Sequence, residues 1–230
     1  MSTDAFGFPP THSALSDPPG LLAVGGDLSE ARLLHAYSKG IFPWYSADEP
    51  ILWWTPSPRC VLFPADLKVS RSLRKCLKRP FQARLNTAFD QVIELCATVD
   101  NRQSATWISG DMQTAYKALH TAGFAHSIEV YEDNRLIGGL YGLRLGSVFF
   151  GESMFSLKPN ASKIALVALR HLALKSGIAL IDCQVENPHL RSLGAHCISR
   201  SEFESALALL VPRTIPTDQW ALALSTQDLS

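Results

Sequence analysis

The sequence predicts an α+β protein, built around an antiparallel sheet that is followed by a helix and one more strand. Three apolar, strand-like segments, His126–Tyr131, Leu136–Leu143 and Ser147–Gly151, are separated by short polar connections typical of hairpins. A helical pattern follows from Ala161 to Ser176, with Asn160 as its predicted cap and Gly177 as its predicted stop, and then an apolar strand at 178–185. Consecutive strands followed by a helix and a strand are typical of α+β rather than alternating α/β architecture.

The first 60 residues have a different character. Residues 1–20 hold four of the fourteen prolines, which predicts an irregular start. Asp27 and Glu30 have the spacing of a capping box, so we expect a helix to about Ser38, terminated by a left-handed Gly40. Three of the five tryptophans then fall within eleven residues among prolines, a pattern that predicts loops and short strands.

Further elements precede the antiparallel sheet. We expect a short strand at Cys60–Phe63 and helices at Ser70–Arg79, Asn86–Val99 and Gly110–Ala122, with a last helix at about 201–210. The predicted domains are a small mixed N-terminal domain with aromatic loops at 1–60 and a larger domain at 61–230 that includes the helix at 70–79.

Composition narrows the class of protein. Hydrophobic residues make up 47% and charged residues 18%, and 21 basic residues balance 21 acidic ones, so only a local cluster can attract a polyanion. We expect no membrane span and no secretory signal. Five cysteines without a CxxC pair, and histidines without ligand spacing, predict reduced thiols, a cytoplasmic protein and no metal site.

The strand at 180–185 carries polar residues in a segment that ought to be buried. Alternation places Asp182 and Gln184 on one face, and the strand contains no Lys or Arg. An unpaired buried carboxylate is costly, so a substrate is one candidate for its partner. Catalysis on an amine and a structural polar network both remain open.

Glu152 stands among Phe149, Phe150, Met154 and Phe155 at the end of a predicted strand. Apolar surroundings predict a raised carboxyl pKa or a role in holding a cationic group. The alternative is a structural residue that caps a helix or meets Lys163.

The helix at 70–79 carries five basic residues and no acidic one: Arg71, Arg74, Lys75, Lys78 and Arg79. Leu73 and Leu77 mark its inner face, so the basic side chains point outward. This pattern favours phosphate binding, and a solvated surface helix is the alternative.

No nucleotide-binding glycine motif is present, and Arg191–His196 matches only part of an acyl-CoA pyrophosphate loop. An acyl-CoA donor is therefore disfavoured, although acyl transfer itself is not.

Several motifs in order resemble the bacterial leucyl/phenylalanyl-tRNA–protein transferases over about residues 8–205. They are Gly20–Leu28, Gly40–Tyr45, Trp53–Arg59, Thr106–Ile108, Gly138–Gly142, Phe149–Ser156, Asn160–Lys163 and Leu180–Val185.

The resemblance implies an aminoacyltransferase with an N-acetyltransferase-like (GNAT) C-terminal domain and no cofactor. Such enzymes move Leu or Phe, and less readily Met, from aminoacyl-tRNA to the α-amine of an N-terminal Arg or Lys, which creates an N-end rule degradation signal. The implied partners are thus aminoacyl-tRNA and acceptor proteins, with no membrane, and we expect a monomer.

The resemblance also implies roles for individual residues. Asp182 would hold the acceptor α-amine while Gln184 aligns it. The aminoacyl pocket would comprise Phe149, Glu152, Ser153, Met154 and Phe155. The tRNA 3′ end would meet Trp53, Trp54, Trp107, Asn160 and Ser162, and its phosphates would meet the five basic residues at 71–79.

Two alternatives remain at this point. One is an acyl-CoA-dependent N-acyltransferase, and the other is a tRNA-binding module without catalysis.

Overall fold

A computed structural model of the chain describes residues 4–99, 107–214, 220 and 223–225. The α+β class predicted from the sequence is confirmed. Its strands form a small antiparallel sheet in the N-terminal part and a large mixed sheet in the rest.

The helices are α1 (Glu30–Ser38), α2 (Arg71–Leu77), α3 (Phe89–Thr98), α4 (Gly110–Thr121), α5 (Ala161–Ser176), α6 (Pro188–Ser192) and α7 (Arg200–Leu210). The strands are β1 (Leu21–Val24), β2 (Phe42–Pro43), β3 (Leu52–Trp54), β4 (Arg59–Leu62), β5 (Gln82–Leu85), β6 (Ala125–Glu132), β7 (Arg135–Leu145), β8 (Val148–Ser156), β9 (Leu180–Gln184), β10 (His196–Ile198) and β11 (Ala223–Ser225).

The small sheet has the order β1-β3-β2, and the large sheet has the order β10-β4-β9-β8-β7-β6-β5-β11. All neighbours in the large sheet are antiparallel except β8 and β9, which are parallel. A parallel pair requires a crossover, and α5 provides it.

Helices cover both faces of the large sheet. On one face, α1, α3 and α4 pack with Tyr141 and Phe150, and this core also contains Phe8 and Trp53. On the other face, α2 and α5 pack with Leu140 and Phe149. The N-terminal part thus shares a core with the large sheet. The division into domains at residue 60 stays a prediction, and β4 of the large sheet already begins at Arg59.

Two predicted helix starts are wrong in detail. Asp27 accepts the backbone N–H of Ser29 at 2.8 Å, and α1 begins two residues later than a cap at Asp27 would place it. Asn160 occupies the position before α5 in a left-handed conformation (φ 69°), and its side chain does not cap the helix. The Ser156 hydroxyl instead accepts the Ser162 N–H at 2.9 Å. The left-handed ends at Gly40 and Gly177 are as predicted.

Strand β8 continues five residues beyond the predicted end at Gly151. Its pairing with β9 stops at Phe150 and Asp182, whereas its pairing with β7 continues to Ser156. The two parallel strands therefore separate beyond this point, and the large sheet opens between them.

Gly142 of β7 fixes the packing beside this opening. A Cβ there would lie 2.1 Å from the Phe150 carbonyl oxygen and 2.7 Å from the Phe149 ring. Only glycine leaves space for Phe149 to lie across β7.

Among the described residues, no helix is both long enough and apolar enough to cross a bilayer.

Candidate active site

A cavity of about 610 Å³ lies where β8 and β9 separate. Its lining includes a largely apolar group, Leu140, Phe149, Met154, Leu166, Leu169 and Ile181, and a polar group, Glu152, Ser153, Asp182, Gln184 and Glu186. An apolar cavity with a few convergent polar groups is typical of a small-ligand site.

Glu152 reaches this cavity through a β-bulge. Tyr141 pairs with Ser153 and Gly142 pairs with Gly151, so Glu152 is the extra residue on β8. Bulges re-aim side chains and are common beside active sites.

Two buried tyrosines hold the Glu152 carboxylate. The Tyr37 hydroxyl donates to Oε1 at 2.7 Å, and the Tyr116 hydroxyl donates to Oε2 at 3.1 Å. The two hydroxyl oxygens also contact each other, and because each hydroxyl carries one proton, a tyrosine that donates to the other hydroxyl does not donate to Glu152 at the same time. Burial raises the pKa of both tyrosines well above the ordinary value, so both remain donors at neutral pH.

Burial also raises the pKa of Glu152 to about 7, and the Asp182 carboxylate contributes to the rise. The hydrogen bonds from the two tyrosines act in the opposite direction. The raised pKa predicted from the phenylalanines is thus found, and the predicted alternatives of a helix cap or a contact with Lys163 are not among the bonds that Glu152 makes.

The partner of Asp182 is Arg59, not a substrate. The guanidinium donates from Nε to Oδ1 at 2.8 Å and from NH2 to Oδ2 at 2.7 Å, and both side chains are almost completely buried. Arg59 comes from the neighbouring strand β4, which is why inspection of β9 alone did not find it. With both oxygens bonded to Arg59, Asp182 is poorly placed to bind an acceptor α-amine directly.

Arg59 is itself fixed on all sides. It donates to the Gly40 carbonyl oxygen at 3.0 Å and lies between the rings of Phe42 and Phe203, 4.8 and 4.7 Å from their centroids. Bidentate bonding and stacking of this kind use the planar guanidinium and are not available to lysine.

Gln184 connects the two carboxylates. Its backbone N–H donates to Asp182 Oδ1 at 2.9 Å, and its side-chain Nε2 donates to Glu152 Oε1 at 2.9 Å. Gln184 has a left-handed backbone conformation (φ 61°), which is uncommon for residues other than glycine. Such conformations cluster at functional sites. The Gln184 amide thus bridges the gap between the separated strands.

The predicted pocket residues are only partly together. Phe149, Glu152, Ser153 and Met154 line the cavity, whereas Phe155 is buried in the core on the α3 and α4 face.

The prediction that Trp53 stacks on an unpaired base is wrong, because the side chain is 1% exposed and its indole N–H donates to the Gly25 carbonyl. Trp107 does line the cavity. Trp54 packs edge-on against Trp44 and donates to its carbonyl oxygen at 2.6 Å. Trp44, 46% exposed and also lining the cavity, is the better platform, and the sequence analysis did not select it.

Asn160 and Ser162 lie at the start of α5, outside the cavity lining. Their contact with the tRNA 3′ end stays a prediction. Thr106 lies outside the described residues.

The basic residues at 71–79 are all exposed, and Leu73 and Leu77 are buried beneath them as predicted. Arg79 forms an ion pair with Glu132, which also binds Lys158. An acidic partner absent from the helix sequence is thus supplied by β6.

Sequence reasoning missed Arg59, Tyr37 and Tyr116. Arg59 had a weak signal as a charged residue at the start of an apolar strand. The two tyrosines had none, because Tyr37 follows Leu33 at core spacing and Tyr116 follows Met112 in the same way.

Within the ranges that the structure describes, no group of three or more His, Cys, Asp or Glu residues is arranged to hold a metal ion.

Fold and site together define an α+β protein with a largely apolar cavity, lined in part by a hydrogen-bonded carboxyl group and amide. Two family models match the chain: leucyl/phenylalanyl-tRNA protein transferase over residues 61–208, and the N-terminal domain of the same transferase over residues 26–57. The chain therefore belongs to the leucyl/phenylalanyl-tRNA–protein transferase family and is an aminoacyltransferase.

Relatives are similar along almost the whole chain. A leucyl/phenylalanyl-tRNA–protein transferase of Shewanella piezotolerans is 54% identical over 221 residues, 96% of this chain and 94% of that protein. One from Hydrogenovibrio crunogenus is 54% identical over 222 residues, 96% of this chain and 87% of that protein.

Among solved structures, a GCN5-related N-acetyltransferase-like protein from Streptococcus suis is similar with a TM-score of 0.34 and 11% identity, over 74% of this chain and 64% of that one. A likeness at this level carries little weight.

The raised pKa of Glu152 predicts a specific pH dependence of stability. In the folded state this carboxyl keeps its proton up to about pH 7, whereas the ordinary value is 4.5. The unfolded chain loses that proton first, so the stabilisation is complete below pH 4.5 and is lost as pH rises to about 7. Glu152→Gln removes this titration, and its stability relative to the parent should increase over the same window, by up to about 3 kcal/mol.

Urea unfolding of both proteins at several pH values measures the difference. A difference that stays constant between pH 4.5 and 7 would contradict a buried carboxyl with this pKa.

Proposed function

We propose that this protein transfers leucine or phenylalanine from aminoacyl-tRNA to the α-amine of a protein that begins with Arg or Lys, forming a peptide bond. The observation that carries the proposal is a largely apolar cavity whose lining includes the hydrogen-bonded side chains of Glu152 and Gln184. The names of the relatives and the family models support the same activity.

The cavity suits an aliphatic or aromatic apolar side chain. Leu140, Met154, Leu166 and Leu169 offer no charged partner, so a donor amino acid with a charged side chain would be desolvated without compensation. The aminoacyl group would enter with its ester carbonyl towards the Gln184 amide.

Gln184 is the residue best placed to orient the attacking amine. Its Nε2 donates to Glu152, so its amide oxygen is left to accept a proton of the acceptor amine. The amine attacks the ester carbonyl carbon, the new C–N bond forms, and the C–O bond to the tRNA ribose breaks. The released ribose oxygen takes up the proton that the amine loses.

Asp182 acts by positioning Gln184 and not by contact with the substrates. Its carboxylate, held by Arg59, accepts the Gln184 backbone N–H and so fixes the left-handed conformation of that residue. Because the ester is already activated, positioning of the two reactants can supply much of the rate.

Two carboxyl groups line the cavity. Glu186 forms an ion pair with Arg191 at 2.8 Å, and Glu152 becomes negatively charged as pH rises through about 7, so an acceptor with a basic first residue meets negative charge here once Glu152 has ionised. This complementarity supports Arg and Lys as acceptors. We also propose that products beginning with Leu or Phe carry an N-end rule degradation signal. Met would be a poorer donor than Leu or Phe, and the reaction would take place in the cytoplasm.

For the tRNA, we propose that Trp44 and Trp107 stack on the unpaired 3′ end at the cavity, and that α2 meets acceptor-stem phosphates. An acyl-CoA donor fits less well. In the segment after β9, the backbone N–H groups of Leu193, Gly194 and Ala195 are bonded to carbonyls of α6, so they do not form a pyrophosphate cradle.

One assay tests the proposed reaction. The protein is incubated with radiolabelled Leu-tRNA and a peptide that begins with Arg, and with the same peptide acetylated at its N-terminus as the control. Label should enter only the free peptide, because the α-amine is the nucleophile. Label transferred from an acyl-CoA instead, or tRNA retained without any transfer, would contradict the proposal and support one of the two alternatives.

The role of α2 predicts a salt effect. Arg74→Ala with Lys75→Ala removes two exposed charges, so the slope of log affinity for tRNA against log salt should fall by about 1.5. Lys39→Ala with Lys175→Ala makes the same charge change at exposed positions outside α2 and should leave the slope unchanged. If both double variants showed the same salt-dependence slope, the proposal that α2 contacts the tRNA would be wrong.

A further inference from the structure

Three of the five cysteines lie together on the adjacent strands β10, β4 and β9. Cys197 is directly opposite Cys60 in the ladder. On the other side, Cys60 pairs with Gln184 and Val61 pairs with Asp182, so Cys183 is the extra residue of a bulge beside Cys60. All three belong to the same core, on the α5 face of the sheet.

The three thiols differ in contact and access. Cys60 is completely buried, and the neighbouring Cys183 thiol lowers the pKa of Cys60, whereas the Cys60 thiol and burial raise the pKa of Cys183. The Cys183 thiol donates to the Ile181 carbonyl oxygen at 3.9 Å. Cys183 is only partly buried and lines the cavity. Burial and a hydrogen bond to Glu186 raise the pKa of Cys197. A thiol accessible from the cavity thus contacts a buried thiol that ionises more readily.

We propose that Cys60 and Cys183 form an oxidation-sensitive dithiol, which a peroxide entering the cavity converts to a disulfide that stops aminoacyl transfer. No disulfide is present in the described structure, and all five cysteines are free thiols. The proposal concerns a modification site beside the transfer site and adds to the proposed reaction.

The chemistry needs one peroxide. The Cys60 thiol ionises first, and transfer of the Cys183 proton to the Cys60 thiolate gives the Cys183 thiolate, which a peroxide in the cavity can reach. The Cys183 thiolate attacks one peroxide oxygen, the O–O bond breaks, and the leaving hydroxide takes a proton to become water. The Cys60 thiolate then attacks the sulfenic sulfur, the S–O bond breaks, and a second water leaves. The two thiols lose two electrons in total, and these reduce the peroxide.

The position of Cys183 explains why this bond would affect transfer. It lies between Asp182 and Gln184, and the left-handed Gln184 depends on its bonds to Asp182 and Glu152. The two sulfurs of a disulfide are about 2 Å apart, which is closer than two thiols in non-bonded contact. Forming the bond would therefore draw the bulge towards β4. Displacement of a positioning group by about 1 Å can reduce a rate about a hundredfold.

The test treats the full-length protein with hydrogen peroxide and maps its peptides by mass spectrometry without reduction. We expect a peptide pair joined through Cys60 and Cys183, a parallel loss of transfer to the Arg peptide, and recovery of both on addition of dithiothreitol. Cys197→Ser, the matched control, should behave like the parent protein. Cys60→Ala should form no cross-link, and its Cys183 should react with dimedone as a sulfenic acid.

Peptide mapping does not depend on transfer activity, so it separates this proposal from the proposed function. Absence of the Cys60–Cys183 peptide, or a Cys60–Cys197 peptide in its place, would overturn the assigned pair. Complete cross-linking with undiminished transfer would overturn the effect on the reaction. Circular dichroism shows whether the Cys60→Ala variant is folded. If it is not, the comparison of the parent protein with Cys197→Ser still tests the Cys60–Cys183 pairing.

Discussion

The buried ion pair between Arg59 and Asp182 is the interaction on which the site depends. It joins β4 to β9 beside the point where the large sheet opens, and it also holds the Gly40 carbonyl and the rings of Phe42 and Phe203. Charges with almost no exposure need such complete pairing, because removal of one partner leaves the other buried without compensation. The N-terminal part, α7 and β9 are therefore linked through one guanidinium.

From this pair, hydrogen bonds extend into the cavity in one direction. Asp182 binds the Gln184 backbone, the Gln184 side chain binds Glu152, and Glu152 is held by Tyr37 and Tyr116 from two separate helices. Each group is fixed by the one before it, and in the proposed reaction the Gln184 amide orients the attacking amine. Such preorganisation suits a reaction with an activated ester, in which orientation matters more than strong acid or base.

Much of the fold could be predicted from the sequence, because helix periodicity, strand alternation and left-handed glycines are local signals. The end of β8 could not, since its extension past Gly151 depends on pairing with β7 alone. The same limit applies to the two bulges. Glu152 is the extra residue of the bulge on β8, and Cys183 is the extra residue of the bulge on β9. Only the pairing register between strands reveals these bulges.

The candidate site shows this limit in particular residues. Glu152, Asp182 and Gln184 could be selected as polar residues among apolar ones, and the structure brings all three to one cavity. The partner of Asp182 could not, because Arg59 is 123 positions away. Trp53 and Trp44 have the same composition signal, and only burial distinguishes the core residue from the one at the cavity.

A double-mutant cycle on Arg59 and Asp182 tests the central role of this pair most directly. The free energy of unfolding is measured for Arg59→Met, Asp182→Asn and the double variant. Arg59→Met alone leaves a buried carboxylate unpaired and should cost about 3–5 kcal/mol, and adding Asp182→Asn should recover part of that loss. Losses that simply add, with no recovery in the double variant, would contradict the claim that these two side chains stabilise the site as a pair.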